Sequence, residues 1–281
     1  MFNPTLDPTL DSLLDQAVRD WDARGWPRPK AVVVSGSGLA HDLHSPTHGP
    51  VPLAEILPFE THAIEGHPHR VELIEPIPGR PVLYYRGRLH YYQGYSPMET
   101  VFPVRLAARL GARVLIMTNA AGGLDPAYRP GDLVMLKDHL NLTGLSPLRG
   151  HLPADFGPRF PDMTGAYDPE LRRLAHTHAE RLGIGLAEGV YAGLTGPSYE
   201  TAAEVRMFQI LGGQLVGMST VLEVIAAHAM GVRCLVFSLV TNLAAGVGAP
   251  LDHEEVLVAG KEAGPRVVGL LRSLLEDSGL C

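Results

Sequence analysis

The chain has 281 residues, 46% hydrophobic and 19% charged, and its 23 basic and 30 acidic side chains leave a formal charge of −7. That apolar content is ample for a core and excludes a disordered chain, while an acidic balance with no Lys/Arg cluster argues against a polymeric nucleic acid as partner. Two cysteines, Cys234 and Cys281, are too few for a disulfide framework or a Cys-rich metal site, which fits a reducing cytoplasm.

The opening segment MFNPTLDPTLDSLL lacks a basic n-region followed by an apolar stretch, and no run approaches about 18 apolar residues, so neither secretion nor a membrane span is expected. At roughly 150 residues per domain the length fits one large domain or two ordinary ones, and we read 1–281 as one. Helical spacing over Thr5–Trp21 leads into an apolar strand at Ala31–Val34. A strand at Pro81–Arg86, a helix at Met98–Leu110 and strands at Val114–Thr118 and Leu133–Leu136 follow. Residues 141–164, rich in Pro and Gly, read as a long loop. Beyond it come a helix at Pro169–Leu182, a strand at Val190–Leu194, helices at Thr201–Leu211 and Val221–Met230, a strand at Leu235–Val240, a loop at 243–252 and a helix at His253–Leu275. Gly111, Gly183, Gly212 and Gly231 stand where four helices should end. Strands alternating with helices, each strand apolar on both faces, predict an α/β fold with a central mixed, largely parallel sheet flanked by helices.

Chemistry-bearing residues gather where the predicted strands end. Ser35-Gly36-Ser37-Gly38 can bring backbone N–H groups and a hydroxyl to an anion, although a plain tight turn explains it equally well. It lacks the third glycine of a dinucleotide fingerprint and the Gly-Lys-Ser/Thr of a P-loop, which counts against NAD and ATP. In YYRGRLHYYQGY (84–95), alternate residues Arg88, His90 and Tyr92 project to one side of an extended segment, where a guanidinium suits phosphate; a solvated edge strand is the plainer alternative. VLIMTNAAGGL (114–124) ends in small residues that leave backbone amides open. In TGPSYETAAE (195–204), Tyr199 offers a stacking face and Glu200 an acceptor for ring N–H groups, ahead of a helix that Thr201 and Glu204 would cap. GMSTVLEV (217–224) supplies Met218 and Ser219, the methionine being equally at home in a core. FSLVTNLAAG (237–246) brings Thr241 and Asn242, whose amide could read a 6-oxopurine edge. His67-Pro68-His69 and His176-Thr177-His178 lack the companions of a metal site, so no metal is expected. His253 opens the last helix, either as a cap or as a substrate contact.

Taken in order, GSGL (36–39), GRLHYYQGY (87–95), TNAAGGL (118–124), DHLNLTG (138–144), GPSYET (196–201), GMSTVLEV (217–224) and TNLAAG (241–246) resemble the trimeric purine nucleoside phosphorylases, in the branch that includes methylthioadenosine phosphorylase. The likeness spans roughly residues 10–275. It implies a phosphate site of Ser37, His67, Arg88, His90, the Ala120 backbone and Ser219. It implies ribose contacts from Tyr92, Met218 and His253, and base contacts from Tyr199, Glu200, Thr241 and Asn242, with His90, Glu200 and Asn242 as the catalytic set. Phe160 matches the position that closes a neighbouring subunit's sugar pocket, so a homotrimer is implied. Inorganic phosphate would be a co-substrate, with no cofactor. Gln93 stands where relatives often carry Glu, Tyr199 where Phe is frequent, and the loop after Asn242 is shorter than in some relatives. The expected activity is reversible phosphorolysis of 6-oxopurine (deoxy)ribonucleosides. Its rivals are phosphorolysis of methylthioadenosine, an NAD-dependent oxidoreductase, and nucleoside binding without turnover.

Overall fold

The computed structural model describes residues 8–62, 68–150, 152, 154–244 and 253–280. The six apolar runs all form strands. They are β1 (Ala31–Val34), β4 (Arg80–Arg86), β5 (Val114–Gly123), β6 (Leu133–Asn141), β7 (Leu186–Gly193) and β9 (Arg233–Leu243). Three more were not anticipated: β2 (Pro46–Pro52), β3 (Arg70–Ile77) and β8 (Leu215–Gly217). The nine make one mixed sheet in the order β2-β3-β4-β1-β5-β8-β7-β6-β9. Its centre, β4-β1-β5-β9, is parallel, while β2–β3, β3–β4, β5–β8 and β6–β9 are antiparallel. Because β9 pairs with both β6 and β5, the five strands β5, β8, β7, β6 and β9 close into a ring. The β5–β9 ladder slips once, between Ala121 and Gly122, and so sets Gly122 opposite Asn242; Gly122 also pairs with Val216 of β8.

Successive side chains of a strand point to opposite faces, and in β1 both faces are apolar. Val32 and Val34 belong to one cluster, with Trp21, Phe102 and Val224; Ala31 and Val33 belong to another, with Leu171, Phe237 and Leu270. The first layer is covered by α1 (Pro8–Ala23), α3 (Phe102–Leu110) and α6 (Val221–Ala229), the second by α4 (Pro169–Arg181) and α7 (His253–Leu275). The helix expected over 98–110 is instead two, α2 (Pro97–Thr100) and α3, separated at Val101. Pro103 has no N–H to give and its ring would meet the carbonyl of residue 99 in a continuous helix, so the chain restarts there. Gly111 ends α3 with φ 111°, a left-handed conformation that glycine adopts without a Cβ clash. The remaining helix, α5 (Ala202–Ile210), starts with the capping box expected of Thr201 and Glu204: Glu204 N–H donates to Thr201 Oγ1 at 3.3 Å and Thr201 N–H to Glu204 Oε2 at 2.7 Å. Among the described residues no helix is long and apolar enough to cross a membrane.

Candidate active site

In a parallel sheet the loops beyond the strand C-termini form the natural crevice. Here the C-terminal parts of β5 and β9 and the segments after β1, β4, β7 and β8 converge on a cavity of about 120 Å³. Eleven residues predicted from the sequence line it: Ser37, Arg88, His90, Tyr92, Ala120, Tyr199, Glu200, Met218, Ser219, Thr241 and Asn242. Gly36, from the turn read as an anion cradle, lines it too, as do Asn119, Ala121, Gly122, Val216 and Gly217, which were not named as site residues beforehand. Of the other predicted residues, His67 lies outside the described residues. His253 is the first residue of α7, as expected, but its side chain is not among those described. Phe160 is 88% exposed and lines no part of this cavity in its own chain.

At one end the first two loops are pressed together. A Cβ at Gly36 would come within 2.7 Å of the Asn119 Cα and the Thr118 carbonyl, so only glycine lets β1 and β5 deliver their ends side by side. Of the two serines in that turn, Ser35 faces the interior and shares a 2.9 Å hydrogen bond with the Tyr84 hydroxyl, leaving Ser37 to the cavity.

Arg88, 2% exposed, donates from Nη1 to Glu223 Oε2 at 3.0 Å and to Thr220 Oγ1 at 3.2 Å, and from Nη2 to the carbonyls of Val34 and Thr118. Its buried Nε has no partner among the described residues. Thr220 is a hub: Asn119 Nδ2 donates to its Oγ1 at 2.9 Å, Ser219 Oγ lies 3.0 Å away, and its own N–H donates to Glu223 Oε2 at 3.0 Å. It holds φ at 73°, a conformation that costs a β-branched residue energy and persists only where its surroundings dictate it. Glu223 was missed by the sequence reading, yet a lone carboxylate inside the apolar helix VLEVIAA is a legible sign of a buried ion pair. Beside this network His90 is 6% exposed and stacks on Tyr92 at 4.8 Å. Burial first, and then the Arg88 cation, pull the His90 imidazole down to about 3, so the ring is neutral; burial pushes the Tyr92 phenol up to about 12.

The other end presents Tyr199, 44% exposed, Glu200, 8% exposed, and Asn242 at the end of β9. Burial raises the Glu200 carboxyl above its ordinary range. The Asn242 amide is oriented by two neighbours: Thr241 Oγ1 donates to its Oδ1 at 2.8 Å, and its Nδ2 donates to the Leu243 carbonyl at 3.2 Å. The cavity thus has a donor-rich end formed around an arginine and an end with a flat ring, a carboxylate and an amide. Those are the requirements of a small oxyanion and a planar heterocycle.

The model of the phosphorylase superfamily matches residues 30–276. A purine nucleoside phosphorylase of Mycobacterium tuberculosis is 45% identical over 280 residues, covering 98% of this chain and 99% of its relative. The structure of Schistosoma mansoni purine nucleoside phosphorylase with adenosine superposes with a TM-score of 0.86 at 34% identity, covering 94% of this chain and 96% of the other. A schistosome purine nucleoside phosphorylase with hypoxanthine gives 0.84 at 32% identity, with 99% of each chain covered.

Proposed function

We propose that this chain, which belongs to the phosphorylase superfamily and within it to the purine nucleoside phosphorylases, pentosyltransferase enzymes, acts reversibly on 6-oxopurine (deoxy)ribonucleosides such as inosine and guanosine. The observation that carries the 6-oxo reading is the orientation of Asn242. The Leu243 carbonyl, which can only accept, fixes the amide and takes one N–H of Nδ2, leaving the other N–H as a donor for O6 or N7 of the base, while Glu200 accepts from N1–H. A 6-aminopurine presents the reverse pattern, a donor at position 6 and an acceptor at N1. Hypoxanthine, bound in one of the schistosome structures, has the 6-oxo edge; adenosine, bound in the other, has the 6-amino edge.

In the reaction a phosphate oxygen attacks C1′ from the face opposite the base and the C1′–N9 bond breaks. Its electron pair passes to the purine, which leaves as the free base after protonation, and the sugar becomes (deoxy)ribose 1-phosphate. Ser37, His67, Arg88, His90, the Ala120 N–H and Ser219 hold the phosphate. Tyr92, Met218 and His253 hold the sugar, with Phe160 of a second copy closing it in a homotrimer. Tyr199 stacks on the base, while Asn242 and Glu200 stabilise the negative charge that accumulates there, more in the transition state than in the substrate. No metal or organic cofactor enters this scheme, and the cytoplasm is its setting. The test is base release from inosine with and without phosphate, with adenosine and methylthioadenosine run alongside. Hypoxanthine and ribose 1-phosphate formed only with phosphate is the expected result; release without phosphate, or faster release from adenosine, would refute it.

A further inference from the structure

The turn that carries Ser37 is closed from behind by a residue that lines no part of the cavity. Side chains alternate along β4, so Tyr85 enters the first layer with Trp21 and Phe102, while Tyr84 enters the second with Phe237 and Leu270. There, beside the end of β1, the buried Tyr84 meets both ends of the segment 35–41 with one oxygen. Its hydroxyl donates to the His41 carbonyl at 2.9 Å. That uses its single proton, so in the 2.9 Å contact with Ser35 Oγ the serine is the donor. Burial pushes the phenol up to about 12, which keeps the proton in place.

We propose that Tyr84 is a positioning residue for the anion: by joining Ser35 to His41 it fixes the width of the turn between them, and with it the stance of Ser37 at the cavity. This rests on the anion role given to Ser37 above. Other contacts hold parts of the turn without joining its ends. The Gly36 N–H donates to Thr118 Oγ1 at 3.2 Å, which ties the near end to β5, and the Leu39 N–H donates to the Gly36 carbonyl at 3.1 Å, a curl of three residues. Beyond the far end, Arg272 Nη2 donates to the Asp42 carbonyl at 3.1 Å. Arg86 pairs with the Asp42 carboxylate, which is 85% exposed, so solvent screens that pair. Helix α7 walls the middle, where a Cβ at Gly260 would come within 2.9 Å of the Gly38 carbonyl, but a wall stops movement in one direction only. The two bonds of Tyr84 lie in the interior, where removing one partner leaves the other unsatisfied.

The test is Tyr84→Phe, which removes the hydroxyl and keeps the ring, with folding checked by the unfolding midpoint. In calorimetry without nucleoside, inorganic phosphate is expected to bind about three- to thirtyfold more weakly than to the parent. In turnover the phosphate KM should rise by a similar factor, while the inosine KM at saturating phosphate stays within about twofold, a split that a general loosening of the fold would not give. Ser35→Ala leaves the bond to His41 and should weaken phosphate less; added to Tyr84→Phe it should weaken phosphate no further, because its partner is already gone. Unchanged phosphate affinity in Tyr84→Phe, an equal rise in both KM values, or a Ser35→Ala loss that persists in the double variant would overturn the proposal. If Tyr84→Phe does not fold, Ser35→Ala decides alone, and unchanged phosphate affinity there overturns it. Absence of phosphate-dependent turnover of inosine would instead overturn the proposed function, while calorimetry with phosphate would still decide the role of Tyr84.

Discussion

The two ends of the cavity are built to different standards. At the anion end Arg88, Thr220 and Glu223 are each 3% exposed or less, and they bond to strand ends and to one another. At the base end Tyr199 is 44% exposed, and among the described residues the Asn242 amide bonds to its two chain neighbours. The anion end is a piece of the hydrophobic core that happens to be polar, so changing it should damage fold and function together. The base end is attached to that core, so changing it should move specificity with little effect on stability.

The sharpest way to break this comparison is Arg88→Leu. It strands the Glu223 carboxylate in the interior and should cost about 3–5 kcal/mol in denaturant unfolding, with a raised phosphate KM in the protein that still folds. A loss below about 1 kcal/mol would mean the network is not structural. Next is Asn242→Asp, which replaces the NH2 donor by an acceptor. The inosine-to-adenosine ratio of kcat/KM should fall on the order of tenfold or more, with unfolding stability within about 1 kcal/mol of the parent; an unchanged ratio would remove Asn242 from the base end.

A third prediction concerns pH. Accepting from N1–H requires the Glu200 carboxylate, whose pKa is raised by burial, so kcat/KM for inosine should be full above that pKa and fall as pH drops through it. The acid limb should lie above the ordinary carboxylate range and vanish in Glu200→Gln; an identical limb in the variant would assign it to another group. The smallest effect is expected at Tyr199. Tyr199→Leu should raise nucleoside KM roughly two- to tenfold, from a stacking contribution of about 0.5–1.5 kcal/mol, whereas Tyr199→Phe keeps the ring and should change it less than about twofold.

The sequence revealed much of this because strand ends in α/β sheets carry apolar runs stopped by small residues, and the site lies where the runs stop. What stayed hidden had physical reasons. Strand β2 reads PTHGPVP, an exposed edge with prolines and no apolar alternation, and β8 is only three residues long. Asn119 sits within TNAAGGL among residues prized for smallness, and its link to Thr220 spans 101 positions of chain. Glu223 lines no part of the cavity and acts only by holding Arg88, so ligand chemistry gives no sign of it. His67 and the 245–252 loop fall outside the described residues, so the readings there stand as expectations.

The double pairing of Gly122, with Val216 on one side and Asn242 on the other, has a consequence for how such a site can diverge. Ala120 and Asn242 stand on the two strands of the ladder that meets there, and Ser219 follows β8 by two residues, so on the proposed assignment the span between the nucleophile's seat and the leaving group's seat is measured by strand register. Register has marks one residue apart, about 3.3 Å, and moving by one mark turns every side chain of the strand to the opposite face. The ruler therefore cannot be finely adjusted. A lineage built on this ring can exchange which groups stand at the two seats, but not the distance between them.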